Sequence, residues 1–303
     1  MDYKISKQYE GCAVKDYIQK ELRLSSKMLT RLKHLESGIM LNGNSVTVRA
    51  RLTADDILSL SVDHEFKLSD EIVPVRLPLD IIYEDEYYIA LNKPPYMPTH
   101  PSHNHRDDTL ANGLSYLYST QNKPFVFRAV NRLDRDTSGI VIFAKTADAA
   151  HRFSKMQQSK TIVKNYIAIA NGLCNESGII EGYIRRKEKS VILRVFEKEK
   201  THADGAYSLT EYKTLASGND ASLVHLTLHT GRTHQIRVHL SSIGHFVLGD
   251  DLYGEKTDTK RQMLHAYKMI FTHPYTHHEI IIKAKIPEDM ISELKRKGIN
   301  YEF

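Results

Sequence analysis

The segment VNRLDRDTSG places a carboxylate between two arginines, directly before the strongly apolar run IVIFAK. The apolar run predicts a buried strand, and polar residues crowded at the end of such a strand are typical of an active-site loop. If the loop is extended, Arg132 and Asp134 project to one face and Leu133 to the other. The flanking Arg132 and Arg135 should lower the pKa of Asp134, so that its side chain is an anion at neutral pH. Asp134 is therefore a candidate nucleophile or general base, with an ion-paired loop as the alternative.

A second polar segment, HTGRTHQIRVHLSSIGH, follows the alternating run SLVHLTLH, which predicts a strand. Thr233 is predicted to cap a helix that ends at Gly244. The apolar positions of this helix share one stripe, formed by Ile236, Leu240 and Ile243. Arg237 lies away from the stripe and near the helix start, where it is well placed to bind a buried anion. An exposed surface arginine is the alternative interpretation.

The elements that must position these residues lie in a large C-terminal region, residues 76–303. Strand-like runs occur at IIYEDEYYIALNK, GIVIFAK, NYIAIA, VILRVFE, SLVHLTLH and EIIIKAKI. Helical runs are fewer and occur at TLANGLSYLYS, ADAAHRFSKMQQ, THQIRVHLSSIG and EDMISELKRK. Clustered strands with intervening helices predict the α+β class, with a mixed, mainly antiparallel sheet.

Residues 1–66 form a separate unit in this prediction, joined by a polar linker over residues 67–75. A first helix has apolar residues at helical spacing from Val14 to Leu22, and SKMLTRLKHLE forms a second. IMLNGNSVTV predicts a β-hairpin that turns at Asn42-Gly43 or Gly43-Asn44. The run ILSLSV, after the acidic turn at Asp55, predicts a further strand.

Composition excludes several classes of protein. The chain has 303 residues, a formal charge of +5 and a pI near 8.9, which suit a polyanionic partner. No apolar run reaches the roughly 18 residues of a membrane span, and no secretory signal is recognisable, so a cytoplasmic location is expected. The two cysteines, Cys12 and Cys174, suggest neither a disulfide framework nor a zinc site. The histidines lack carboxylate or cysteine partners at metal-binding spacing.

The motifs resemble those of the RluA/RluD type of RNA pseudouridine synthase. RLDRDTSG is followed by GRTHQIRVHL, GHFVLGDDLYG and RQMLHA, and IIYEDEYYIALNKPPYMPTHPS, KNYIAIANG, FTHPYT and IPEDM also match in family order. VKDYIQKEL, SSKMLTRLKHLESGIMLNGN and the late acidic turn resemble the S4-like RNA-binding module. Together the resemblances cover nearly the whole chain, and they imply the pseudouridine synthase fold with an N-terminal S4-like domain.

The resemblance implies roles for individual residues. It makes Asp134 the essential aspartate, Tyr166 the tyrosine that stacks on the base, and Arg237 the arginine that pairs with the aspartate. It makes Leu264 an apolar wall of the uracil pocket. The residues expected to contact RNA are Arg132 and, on the second N-terminal helix, Lys27, Arg31 and Lys33. Asn131 stands where most relatives have histidine, and we expect this change to affect loop geometry or RNA contacts rather than the chemistry.

The implied reaction isomerises selected uridines to pseudouridine. The uracil is flipped out of the RNA, its C–N bond to ribose breaks, and its C5 bonds to ribose instead. The reaction needs no redox agent or nucleotide, so no cofactor and no metal are expected. Asp134 could add to ribose C1′ or uracil C6, or remove the C2′ proton, and the sequence leaves these routes open.

The expected partner is RNA, with large-subunit ribosomal RNA ahead of transfer RNA, and a monomer without membrane attachment is expected. Two other functions compete with the isomerase. A binding-only ribosome assembly factor of the same fold would not need Asp134, Tyr166 and Arg237 together. A nucleoside-cleaving hydrolase would release free uracil, whereas an isomerase would not.

Overall fold

The structure is a computed structural model of the chain, and it describes residues 2–22, 24, 26–35, 37–61, 72–102, 104–123 and 125–303. The chain divides into two compact units, Met1–Glu71 and Ile72–Phe303. Each unit has an apolar core of its own. Of the predicted linker, residues 67–71 lie outside the described residues. None of the helices in the described ranges is long and apolar enough to cross a membrane.

The smaller unit is a four-stranded antiparallel sheet with a helical hairpin. Its strands are β1 (Asp2–Lys4), β2 (Ile39–Leu41), β3 (Asn44–Ser45) and β4 (Ile57–Leu60), in the order β1-β4-β2-β3. Its helices are α1 (Val14–Asp16), which continues as a π-helical stretch over Tyr17–Glu21, and α2 (Ser26–Lys33). Asn42 and Gly43 both have positive φ, 51° and 81°, which is the primed turn that an Asn-Gly pair favours. The predicted hairpin is confirmed, and β1, which is too short and polar to predict, joins it through β4.

The basic residues predicted on α2 are only partly described. Lys33 lies at the end of α2 and is exposed. The side chains of Lys27 and Arg31 lie outside the described part of the structure. Their proposed contacts with RNA therefore stay a prediction.

The larger unit is built on one sheet of ten strands within the described residues. The strands are β5 (Ile81–Glu84), β6 (Tyr88–Lys93), β7 (Ser138–Ala144), β8 (Val163–Asn171), β9 (Ser177–Arg186), β10 (Arg194–Glu197), β11 (Ala206–Ser217), β12 (Ala221–Leu228), β13 (Leu264–Thr272) and β14 (Glu279–Lys283). Their order is β10-β9-β11-β12-β8-β13-β7-β6-β5, with β14 paired to β13. Only the β13–β7 pair is parallel among the described pairings. The predicted α+β class with a mixed, mainly antiparallel sheet is confirmed.

Four helices accompany this sheet in the described residues: α3 (Leu110–Thr120), α4 (Ala147–Gln158), α5 (Gln235–Ser242) and α6 (Glu288–Arg296). The side chains of Thr109 and Thr146 cap α3 and α4. The Asn112 amide on α3 donates to Val73 O at 2.8 Å, and Val75 N donates back to Asn112 O at 3.2 Å. Residues 72–75, which the sequence assigns to the linker, are thus attached to the larger unit.

The parallel contact between β7 and β13 fixes the end of the loop that carries Asp134. Gly139 pairs with Ala266 and has a φ of 110°. A Cβ at this position would lie 2.3 Å from Ala266 O, so only glycine allows the two backbones to approach. The TSG tripeptide therefore provides both the turn before β7 and the close packing of β7 on β13.

Candidate active site

Asp134 lies in a loop, residues 131–137, whose backbone is held by buried side chains from elsewhere. Lys93, at the end of β6, is completely buried, and its Nζ donates to Pro94 O at 2.9 Å, Met97 O at 2.8 Å and Arg135 O at 2.7 Å. Burial lowers the pKa of Lys93 to about 7. Its ammonium has three N–H donors and meets three carbonyl acceptors. Lys93 thus fixes the peptide between Arg135 and Asp136, one residue beyond Asp134.

Two further side chains hold the other half of the loop. Arg261 Nη1 donates to Asp136 O at 3.0 Å, and Gln262 Nε2 donates to Thr137 Oγ1 at 2.9 Å. The same guanidinium forms a fork with Asp289, at 2.6 and 2.8 Å. Because Arg261 and Gln262 are buried, the loop is anchored to the protein interior rather than to solvent.

Asn131 forms the entry to the loop. Its Nδ2 donates to Ile140 O at 2.9 Å, and its Oδ1 accepts from Ile142 N at 2.8 Å. The side chain therefore pairs with β7 as another strand would, and it sets where the chain leaves the sheet. These hydrogen bonds agree with the expectation that Asn131 acts on loop geometry.

Among the described contacts, neither of the two arginines that flank Asp134 makes an ion pair with it, so their predicted effect on this carboxylate stays a prediction. Arg135 makes a fork with Asp136 instead, with Nε–Oδ1 at 2.8 Å and Nη2–Oδ2 at 3.0 Å. Arg132 is exposed at the mouth of the pocket. Neighbours in an extended segment point to opposite faces, so the cation that pairs with Asp134 comes from another element.

Helix α5 begins differently from the prediction. Its N-cap residue is His234, in the left-handed conformation with φ 58° and ψ 20°, so the assignment of Thr233 as the cap was wrong. Such a conformation costs a non-glycine residue about 1–3 kcal/mol. The Gln235 side chain secures the helix start, since it accepts from Arg232 N at 3.0 Å and donates to Leu209 O at 3.0 Å. Ile243, predicted on the apolar stripe, follows the helix and is exposed.

Arg237 on α5 binds two carboxylates with one guanidinium. Its Nη1 donates to Asp134 Oδ2 at 2.9 Å. Its Nε and Nη2 donate to Asp250 at 2.6 and 2.7 Å. The Arg237 residue is 4% exposed and the Asp250 side chain is fully buried, whereas that of Asp134 is 29% exposed. Asp250 thus orients the guanidinium from within the protein, and Arg237 orients the accessible carboxylate of Asp134.

Asp134 opens into a pocket of about 380 Å³. Tyr166 of β8 is half-buried there, and Leu264, the first residue of β13, is buried. Burial and then the Asp134 charge raise the pKa of Tyr166, so its phenol is neutral at neutral pH. The pocket therefore combines one carboxylate, a neutral aromatic ring and aliphatic walls, which suits a flat and uncharged ring such as a nucleobase.

Comparison with known proteins shows the family to which the chain belongs. The sequence profile "RNA pseudouridylate synthase" matches residues 87–242. The chain is 36% identical over 284 residues to the uncharacterized RNA pseudouridine synthase YjbO of Bacillus subtilis, covering 93% of this chain and 98% of that one. It is 32% identical over 281 residues to ribosomal large subunit pseudouridine synthase D of Vibrio cholerae, covering 86% and 84%. The chain belongs to the RNA pseudouridylate synthase family.

The fold agrees with this membership. The solved structure of human RNA pseudouridylate synthase domain containing 4 superposes with a TM-score of 0.61 at 22% identity, covering 80% of this chain and 99% of that one. The chain is accordingly an RNA pseudouridine synthase, as the sequence motifs predicted, and RNA is its substrate.

Five of the predicted site residues line the same pocket: Arg132, Asp134, Tyr166, Arg237 and Leu264. The sequence did not single out Asp250, Lys93 or His234. Asp250 stands in the motif GHFVLGDDLYG, but a sequence cannot say which of two adjacent aspartates is buried. In the described part of the chain, no group of three or more His, Cys, Asp or Glu residues is arranged to hold a metal ion.

Proposed function

We propose that the pocket receives a flipped uracil between Tyr166 and Leu264, with the ribose at Asp134, and that Asp134 carries out the isomerisation. The observation that carries this proposal is the bond of 2.9 Å between Arg237 and the one accessible carboxylate at the pocket floor. The guanidinium orients the Asp134 carboxylate while leaving its second oxygen free of that bond. An oriented anion can act as nucleophile or base.

The apolar walls supply part of the energy of base flipping. Extruding a base from RNA costs a few kcal/mol, and stacking on an aromatic ring returns about 1–3 kcal/mol. A neutral Tyr166 ring provides that stacking without adding charge beside Asp134. Three routes remain for the carboxylate: addition to ribose C1′, addition to uracil C6, or removal of the C2′ proton.

Large-subunit ribosomal RNA is the substrate that we propose. Supporting this choice, several relatives carry the name ribosomal large subunit pseudouridine synthase D, including those of Vibrio cholerae and Zymomonas mobilis. We also propose that residues 1–66 are an S4-like domain that contacts RNA phosphates through Lys27, Arg31 and Lys33, and that residues 76–303 carry the chemistry. The exposed side chain of Lys33 supports the former assignment.

Asp134→Asn tests the catalytic assignment, because it keeps the shape of the side chain and removes the anion. Tritium release from RNA labelled at uridine C5 should fall by several orders of magnitude, while RNA binding is largely retained. Near-normal release would refute the role of Asp134. If the native protein itself released no tritium from any RNA of its host, it would act as a binding-only assembly factor.

The substrate is tested separately in cells. Pseudouridines are mapped in RNA from cells with and without the gene, and from cells that carry only the Asp134→Asn protein. Loss of particular pseudouridines from large-subunit ribosomal RNA in the latter two strains is expected. Loss confined to transfer RNA would refute the proposed substrate and keep the proposed chemistry.

A further inference from the structure

The inner edge of the pocket holds a histidine that is unassigned in the proposed reaction. We propose that His234 is a positioning residue for the isomerisation: its Nε2–H, 3.7 Å from the Asp134 carboxylate here, closes to a hydrogen bond when RNA fills the pocket, in a tautomer set by Tyr253. This inference rests on the proposed role of Asp134. Asp134 then accepts from two donors, the charged Arg237 guanidinium and the neutral His234 imidazole.

The imidazole lies between Asp134 and Tyr253. His234 Nε2 is 3.7 Å from Asp134 Oδ2, and His234 Nδ1 is 2.7 Å from the Tyr253 hydroxyl. The His234 side chain is only 12% exposed, and its ring packs edge-on against the Tyr253 ring at 5.5 Å. The ring is thus fixed at one nitrogen and directs the other at the reacting carboxylate.

The hydrogen-bond chain behind the ring selects the tautomer. The backbone N–H of Arg194, on β10, donates to the Tyr253 hydroxyl oxygen at 2.9 Å. The hydroxyl has one proton to donate, and His234 Nδ1, at 2.7 Å, is the acceptor that we assign to it. Nδ1 is then the acceptor, so the proton of the neutral ring is on Nε2, the nitrogen that faces Asp134.

The backbone at His234 supports a role beyond helix capping. Its φ of 58° and ψ of 20° are uncommon for a residue with a side chain, and its side chain makes no capping hydrogen bond. A glycine would adopt this conformation without strain. The left-handed backbone instead carries a ring that lines the pocket beside Asp134 and Gln235. Strain that local structure does not require tends to occur at functional sites.

The charges around His234 keep the ring neutral near neutral pH. Burial lowers the pKa of His234 most; Asp134 raises it, Arg237 and Arg194 lower it, and Asp250 raises it again. These groups come from the loop, from α5, from β10 and from the segment after α5. A neutral donor orients the Asp134 anion while leaving its basicity, whereas an imidazolium would pair with it and weaken it as a nucleophile or base.

The test compares His234→Gln, which can both accept from Tyr253 and donate to Asp134, with His234→Leu, which can do neither. His239→Gln is the control, because His239 lies on the same helix but bonds to Ser208 and Thr210 at 2.9 Å. Single-turnover rates and KM are measured by tritium release. His234→Leu should lose about 10–100-fold in rate, as for one hydrogen bond to a charged group, with KM nearly unchanged. His234→Gln should restore most of the rate, and the control should keep it.

The pH dependence of the rate distinguishes a positioning role of His234 from a purely structural role. The native rate should fall as the pH drops through the lowered pKa of His234, below 6.5. In His234→Gln this acid limb should move to lower pH, because glutamine does not titrate. Identical acid limbs in the two proteins, or a normal rate for His234→Leu, would overturn the inference.

The tautomer is observed directly by NMR of the full chain with 15N-labelled histidine. The His234 signal is identified by its absence in His234→Gln, a variant that does not depend on the folding of His234→Leu. A proton on Nε2 is expected, and a proton on Nδ1 would refute the proposal. Activity in Asp134→Asn would refute the proposed function itself, whereas an inactive Asp134→Asn with a normal His234→Leu would remove only the role of His234.

Discussion

The Arg237 guanidinium serves two carboxylates at once, and Arg237→Lys removes that ability while keeping the positive charge. A lysine ammonium is a point donor that cannot form the fork with Asp250 and also reach Asp134. An unpaired carboxylate costs more free energy at the fully buried Asp250 than at the partly exposed Asp134. We therefore expect the lysine to stay with Asp250 and to leave Asp134 without its partner.

The size of both effects follows from the hydrogen bonds that the substitution removes. One bond to a charged group contributes about 1.5–3 kcal/mol, so removing the bond to Asp134 should slow the chemical step by about 10–150-fold. The lysine also loses one of the two hydrogen bonds to Asp250, which should lower the free energy of unfolding by about 1.5–3 kcal/mol. For a unit of this size, that corresponds to a fall in Tm of about 3–12 °C. RNA affinity should stay nearly the same, because Arg237 is 4% exposed.

Three measurements check this prediction on the same protein samples: single-turnover tritium release, thermal unfolding and RNA binding. Arg232→Lys is the matched control, since Arg232 is exposed at the same pocket and lacks a carboxylate fork among the described ion pairs. The control should lose affinity rather than rate or stability. If Arg237→Lys lost affinity and rate equally, Arg237 would be a phosphate contact and the reasoning would be refuted.

Two further predictions concern the loop and the smaller unit. Lys93→Met should lower the rate about tenfold, since Arg135 O is then left without its donor beside Asp134. The folded pKa of Lys93, about 7, lies below its ordinary 10.5, so the unfolded chain binds more protons between these values. The free energy of unfolding in urea, taken as native protein minus Lys93→Met, should hence increase between pH 7.5 and 9.5. A difference that does not change with pH would contradict this. Deleting residues 1–71 should weaken RNA binding and reduce the slope of log affinity against log salt by about 0.7–0.9 for each phosphate that the protein no longer neutralises. An unchanged slope would make the smaller unit structural, whereas a folded but inactive remainder would show that it helps to build the active site.

Local sequence patterns located the loop, its strand and helix α5, because each pattern depends on neighbours along the chain. All of IVIFAK except Lys145 is buried within β7, and ADAAHRFSKMQQ matches α4 residue for residue. Three strands of the larger unit, β9, β11 and β13, escaped prediction. Polar residues interrupt the apolar pattern in all three, and β9 also contains glycines. VILRVFE forms a strand only over Arg194–Glu197.

The partners within the site depend on contacts that are distant in sequence. Asp134 and Arg237 are 103 residues apart, and they meet only because β7, β8 and β13 are adjacent in the sheet. Nothing in the local sequence shows that Arg135 turns to Asp136, or that Asp250 lies behind Arg237. The left-handed backbone of His234 is equally hidden, since a histidine before a helix is compatible with ordinary capping conformations.

The pairing of Arg237 with two carboxylates also sets the electrostatic polarity of the pocket. Two carboxylates, Asp134 and Asp250, share one guanidinium inside the pocket, while the exposed arginines Arg132 and Arg232 stand at the entrance. A phosphate is repelled by the interior and attracted by the entrance, whereas an uncharged base is free to enter. We therefore infer that a nucleotide enters base first with its backbone outside, and that the ion pairs which orient Asp134 also disfavour free phosphate-bearing metabolites.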